Sequence, residues 1–290
     1  MARVLKTLTG DYFIPTAMTW CEIGLVVGSV DGKVLYFKKD LESGGICQLS
    51  DCARLYTHKY AVSSVCYVNG RVYSCSIDGK LMVYYEQKAE EINTVTDPYF
   101  ITSNNGFVYV GNLDGVLYKI EPLTQSIVET AKIFDEPIVC VDFYPGYDKG
   151  LALCSKKLVI FDANSLEKIK TLNLTTDECT SMMITKDCYT CLVTAVDGTI
   201  RVIDLVSFKE VGCKFLDIGE LNGITNFDDV SRYLVVSSQG KACIFNSSLM
   251  IKESSIKVCK TYLKSVVTNP DNLQIAVAGG EKSITILDKG

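Results

Sequence analysis

Residues 192–204 read LVTAVDGTIRVID. Small and apolar residues lead into Asp197-Gly198, and an alternating segment follows that closes on Ile203-Asp204. Alternation with a period of two marks a half-buried strand. Asp-Gly reads as a two-residue hairpin turn, because both central positions need positive φ and these residues tolerate it. The stretch is a predicted β-hairpin with one bulky apolar residue near the end of its second strand.

Six further stretches share this grammar: VVGSVDGKVLYFK (26–38), YSCSIDGKLMVYYE (73–86), YVGNLDGVLYKIE (109–121), LALCSKKLVIFD (151–162), VVSSQGKACIFN (235–246) and AVAGGEKSITILD (276–288). The turn position falls at Asp31, Asp78, Asp114, Ser155, Asp197, Gln239 and Glu281, at spacings of 36 to 47 residues. Six residues after each stands Phe37, Tyr84, Ile120, Phe161, Ile203, Phe245 or Leu287. An offset kept seven times is a repeat, and a period of about forty residues suits a four-stranded propeller blade.

Further strand candidates flank the hairpins. Upstream they fall at 62–68, 137–144, 179–185, 223–227 and 264–268; downstream at 54–57, 91–95, 126–130 and 167–172. Four strands per unit and no long helical pattern predict an all-β chain: a seven-bladed β-propeller of four-stranded antiparallel blades, a single domain over 1–290. The last unit stops after its third strand, and residues 4–8 look like an outer strand with no inner strands before it. The N-terminal strand is therefore expected to join the last blade and close the ring, removing an unpaired sheet edge.

Composition agrees. Of 290 residues 48% are hydrophobic and 22% charged, and the 16 Tyr and 11 Phe stand beside many Val, Ile and Thr, residues that suit a pleated sheet. A net charge of −5 argues against nucleic acid as the direct ligand. No apolar run approaches the ~20 residues of a membrane-spanning helix, and the first ten residues lack a signal-peptide core, so no membrane association is expected. The 13 cysteines, several inside apolar strand patterns, read as reduced, buried small hydrophobes. The expected location is intracellular, cytoplasmic or nuclear.

The units resemble the WD-repeat family of seven-bladed propellers. The family's closing Trp-Asp survives as Phe161-Asp162, Ile203-Asp204 and Leu287-Asp288, with Phe245-Asn246 a near match, and its Gly-His is reduced to Thr57-His58. Family blades often carry a buried tetrad of His, Ser/Thr, Asp and Trp; one blade here matches most of it, with His58, Ser76 and Asp78, and Tyr84 in the Trp position. The resemblance implies a non-enzymatic interaction scaffold or adaptor, a subunit of a protein complex that needs no cofactor. A second resemblance, to exported propellers of the quinoprotein and outer-membrane-assembly type, rests on FVYVGNLDGVLY (107–118). Those proteins use repeated tryptophans, whereas this chain has only Trp20.

Catalytic equipment is sparse. His58 is the sole histidine, so a multi-histidine metal site is impossible and any Ser-His-Asp machinery would pass through it. A hydrogen bond to Asp78 and Ser76 within one blade is its simpler role. Cys188 and Cys191 have metal-like spacing without a second pair, and strand packing accounts for them more simply. Residues 28–33 (GSVDGK) mimic a phosphate loop, but Val34 stands where Ser or Thr is required and strands follow instead of a helix.

The charge pattern is more informative. Loops joining each outer strand to the next inner strand emerge on one rim. They carry Asp11, Asp97, Asp135, Glu136, Asp177, Glu178, Asp217 and Glu220, against Lys59, Lys260 and Lys264. Tyr12, Tyr60, Tyr99, Phe134 and Tyr262 are interspersed. Such a rim suits a Lys- or Arg-rich protein segment, attracted at long range and held by cation–π contact. The plain alternative is a solvated surface. Two rival functions remain: an enzyme with its site at the axial mouth, and a structural subunit of a larger assembly held by blade edges or underside.

Overall fold

A computed structural model describes residues 2–9, 13–22, 24–38, 52–175, 178–228, 231–270 and 274–288. All the regular structure among them is strand, in seven four-stranded antiparallel sheets. Blade 1 is β2 (Pro15–Cys21), β3 (Gly24–Ser29), β4 (Lys33–Lys38) and β5 (Cys52–Thr57). Blade 2 is β6 (Val62–Val68), β7 (Arg71–Ser76), β8 (Leu81–Tyr85) and β9 (Lys88–Glu91). Blade 3 is β10 (Pro98–Asn104), β11 (Phe107–Asn112), β12 (Val116–Glu121) and β13 (Ser126–Lys132). Blade 4 is β14 (Cys140–Phe143), β15 (Lys149–Leu153), β16 (Lys157–Asp162) and β17 (Lys168–Asn173). Blade 5 is β18 (Cys179–Ile184), β19 (Thr190–Ala195), β20 (Thr199–Asp204) and β21 (Lys209–Phe215). Blade 6 is β22 (Leu221–Asn226), β23 (Arg232–Ser237), β24 (Lys241–Asn246) and β25 (Ile251–Lys257). Blade 7 takes β26 (Leu263–Thr268), β27 (Gln274–Gly279) and β28 (Ser283–Asp288) from the end of the chain and β1 (Arg3–Thr9) from its start.

The expected closure is present: β1 pairs antiparallel with β28, Val4 opposite Leu287 and Leu8 opposite Ile284. The inner strands touch one another in a complete circuit, β2 against β6 on one side and β26 on the other. Apolar residues from both faces of each sheet form seven clusters, one between each pair of neighbouring blades. The bulky residue six places after the turn fills them: Phe37, Ile120, Phe161, Ile203, Phe245 and Leu287 are fully buried, while Tyr84 is half-buried. The polar residue that follows has its own task. Asp162 accepts from the N–H groups of Asn164 and Ser165, Asp204 from Ser207, and Asn246 from Leu249, each fixing the turn into the outer strand.

The structure corrects two local readings. In the Asp-Gly hairpins only glycine is left-handed, as at Gly32 (φ 81°) and Gly79 (φ 81°), and the aspartates are not. Gly32 N–H bonds Ser29 O, and Gly79 and Gly115 bond Ser76 and Asn112 in the same way, so each turn holds the residue before Asp as well. It is the three-residue hairpin with a left-handed glycine. A Cβ at Gly115 would lie 2.3 Å from Phe134 O, so the following loop also requires glycine there. The outer strand of blade 2 is β9 rather than 91–95. Glu86 (φ 49°) and Gln87 (φ 63°) form a two-residue turn straight after Tyr85, which starts the return strand early.

Candidate functional site

In six blades the turn between the second and third strands is tied by its backbone to the loop that leads into the inner strand. The N–H of the residue before the turn position donates across: Val30 to Ile14 O, Ile77 to Ala61 O, Leu113 to Asp97 O, Val196 to Glu178 O, Ser238 to Glu220 O and Gly280 to Tyr262 O, at 2.8–3.1 Å. Turns and loops therefore form one rim. Its composition is wider than the loops alone suggest.

Of the acidic residues read from sequence, Asp97, Asp135, Glu178, Asp217 and Glu220 are exposed on this rim. The Asp135 side chain is 96% exposed, with Lys132 Nζ 3.8 Å away. Asp97, Glu178, Asp217 and Glu220 form no ion pair among the described residues. Glu136 differs: it accepts from the Ser155 hydroxyl and from Cys154 Sγ, and the Ser155 bond holds its carboxyl below the usual range. It belongs to the blade 4 turn more than to the surface. Asp11, Tyr12 and Asp177 lie outside the described residues.

The turns add charges that loop-reading leaves out, but most are committed. Asp31 is held by Lys33 and Ser29, Asp197 by Thr199 and Arg201, and Glu281 accepts from the Lys260 N–H. Lys59, Lys260 and Lys264 are exposed as expected.

Tyr60, Tyr99 and Tyr262 are exposed, and Lys59 Nζ sits 5.2 Å from the Tyr60 ring centroid. Phe134 is not on the surface. It is 5% exposed and packs with Ile133 and Ile138 between blades 3 and 4, where an apolar loop residue closes the cluster beneath the blade 3 turn. In its place the rim presents residues the loops did not suggest: Val30 (45% exposed), Ile77 (63%) and Leu113 (46%). Each is the apolar residue immediately before Asp-Gly. Sequence signals it only once the turn is known to contain three residues.

The buried network of blade 2 keeps Asp78 beside His58 as expected, but Ser74 and Tyr56 stand where Ser76 was expected. His58 Nε2 meets the Ser74 hydroxyl at 2.6 Å, and that hydroxyl meets the Tyr56 hydroxyl at 2.7 Å. His58 Nδ1 faces Asp78 Oδ2 at 3.4 Å, and Asp78 accepts from the N–H groups of Lys59 and Lys80. Ser76 instead caps the turn, accepting from Asp78 N–H and donating to Tyr60 O. Tyr84 stacks on Tyr56 at 5.9 Å and leaves the hydrogen bonding to it. Burial lowers the His58 pKa, with Asp78 opposing. Burial works against Asp78 as well, but the Lys59 N–H and His58 leave its carboxyl below the usual range.

The inner strands enclose an axial channel of about 570 Å³. Six of them carry a β-bulge at their second residue: Thr16, Ser63, Tyr99, Thr180, Asn222 and Lys264. A bulge re-aims a side chain, and here three of them reach the next blade. Thr16 donates to Val62 O, Thr180 to Leu221 O and Asn222 to Leu263 O, at 2.6–2.7 Å. Trp20, on the first inner strand, is buried and donates to Val267 O, joining blades 1 and 7. Asp142 is the one carboxylate in the channel lining among the described residues. Both its oxygens are occupied, by Phe143 N–H and Ile184 N–H, and burial pushes it up to about 6. Cys191 is fully buried in β19 and Cys188 sits in the preceding turn at φ 61°.

No protein-family model matches the sequence, and no curated protein does either. Among solved structures the chain is similar to the WD40 β-propeller domain of Doa1, at 14% identity with a TM-score of 0.85, over 100% of this chain and 97% of that one. At that identity the likeness shows the fold alone, a seven-bladed β-propeller of four-stranded antiparallel blades.

Proposed function

We propose that this propeller is a non-enzymatic protein-interaction module whose rim holds Lys- or Arg-rich segments of partner proteins. The supporting observation is the set of exposed carboxylates with no ion pair among the described residues, Asp97, Glu178, Asp217 and Glu220, together with Asp135, which is almost wholly exposed beside Lys132. They lie on blades 3 to 6, so their fields add over one sector. A lysine-rich peptide followed by fluorescence anisotropy should bind, and bind more weakly as salt rises, because such charges are screened over ~10 Å at 0.1 M. Reversing two charges, Glu178→Lys with Glu220→Lys, should weaken it about tenfold. Binding indifferent to both salt and these substitutions refutes the reading.

A second reading draws on the opposite face. Leu123, Tyr147, Tyr189, Val206 and Leu249, at turn tips of blades 3 to 6, are 60–75% exposed. They favour a subunit held in a larger assembly by its underside, and association through them would survive high salt.

A further inference from the structure

We infer that the rim is divided into an apolar arc over blades 1 to 3 and an anionic arc over blades 3 to 6, and that its ligand is an extended segment in which apolar residues adjoin the basic run. This rests on the proposed basic-segment reading and deepens it.

Singly scattered apolar residues are normal on a protein surface. Val30, Ile77 and Leu113 are not scattered. They occupy the same turn position in three consecutive blades, and the same backbone bond to the neighbouring loop fixes each. Tyr60 and Tyr99 stand in the loop and inner-strand start of blades 2 and 3, between those turns. Elsewhere on the ring the position loses its apolar side chain or its exposure: it is Ser238 in blade 6, Gly280 in blade 7 and a half-buried Val196 in blade 5. At the channel mouth the bulge residues Thr16, Thr180 and Asn222 are spent on joining blades, whereas the bulge residue Tyr99 is exposed.

Charge decides the occupant. Lys59 lies over the Tyr60 ring, whereas Lys80 beside the blade 2 turn is paired with Glu91, so Lys59 is the cation that repels a basic residue there and leaves an apolar one unaffected. From Asp97 onward Asp97, Asp135, Glu178, Asp217 and Glu220 make the exposed loops anionic, while Lys132, Lys156 and Lys157 are exposed cations at the end of blade 3 and beside the blade 4 turn. A chain crossing from blade 2 to blade 5 meets apolar ground and then negative ground, and the complementary segment has the same two halves.

The test uses the full chain and three synthetic peptides: a lysine-rich peptide, the same peptide with a Leu-Ile-Phe block joined to either end, and the block on a neutral Gly/Ser chain. The better of the two joined peptides should bind about tenfold tighter than the lysine-rich one, the equivalent of burying one apolar side chain. That advantage should persist at high salt and vanish in Ile77→Ser with Leu113→Ser. If the lysine-rich peptide binds but the block adds nothing, or if the doubly substituted protein keeps the advantage, the apolar arc is refuted and the basic-segment reading stands. If no lysine-containing peptide binds, both fall. Equal binding of the block alone and the joined peptides also overturns the division.

Discussion

At the scale of single residues, the outcome turns on which hydroxyl faces His58. Ser74 and Ser76 are two apart on β7, so both side chains leave the same face of the strand. Only the path of the loop after Thr57 decides that Ser74 lies beneath the imidazole, and that path is set by packing between blades. The network also fixes a pH dependence. Folded His58 has a pKa below the unfolded value of 6.5, so the unfolded chain holds more protons between the two. Its contribution is therefore complete above pH 6.5 and is lost as pH falls through the folded value. Asp142, raised from 3.8 to about 6, acts in the opposite sense, so a single melting curve against pH mixes the two. Comparison with His58→Gln separates them. That variant should be less stable by about 1–3 kcal/mol at neutral pH, as buried partners lose a hydrogen bond, with the gap narrowing below pH 6.5. Thermal unfolding that shows a constant gap contradicts this. Phe134 teaches a related point: an apolar residue in a loop has no periodicity, and only the neighbouring blade shows that it is core.

At the scale of elements, the strands and their offsets were legible because alternation and a repeated turn residue reinforce each other seven times. Turn geometry was less so. Asp-Gly fits two hairpin forms, and the three-residue form moved Val30, Ile77 and Leu113 from strand end to exposed turn. Glu86-Gln87 gave no signal at all, since neither residue favours positive φ. The chain uses Asn-Gly where the same conformation recurs, at Asn69-Gly70 (φ 50° and 77°) and Asn105-Gly106 (φ 49° and 80°). Glu86→Asn with Gln87→Gly should therefore stabilise the propeller by about 0.5–1 kcal/mol, relieving two strained residues. A melting temperature that stays level or falls would show that the turn is held by something other than its local conformation. The bulges on the inner strands were also hidden, because a small polar residue at a strand start marks nothing by itself.

At the scale of the whole molecule, ring closure followed from counting strands: the last unit lacked one and the first residues supplied it. The rim charges were legible for the same reason, since the repeat places every loop. Their availability was not, because Glu136 and the turn aspartates Asp31, Asp78 and Asp197 are tied by bonds that no spacing reveals. Removing residues 2–9 should expose the whole edge of β28, which now pairs with β1. We expect a lower melting temperature and self-association on size-exclusion chromatography, both reversed by adding the 2–9 peptide. A truncated protein that stays monomeric with an unchanged melting temperature would show that β1 contributes nothing to closure.

The pairing of β1 with β28 has a consequence for biosynthesis. β1 leaves the ribosome well before it is matched, because nearly all of the described residues lie between it and β28. At ~5–20 residues per second this delay is roughly a quarter of a minute to a minute. Throughout it, Val4, Leu5 and Leu8 wait beside a growing and incomplete circle, and chaperones have that long to shield them.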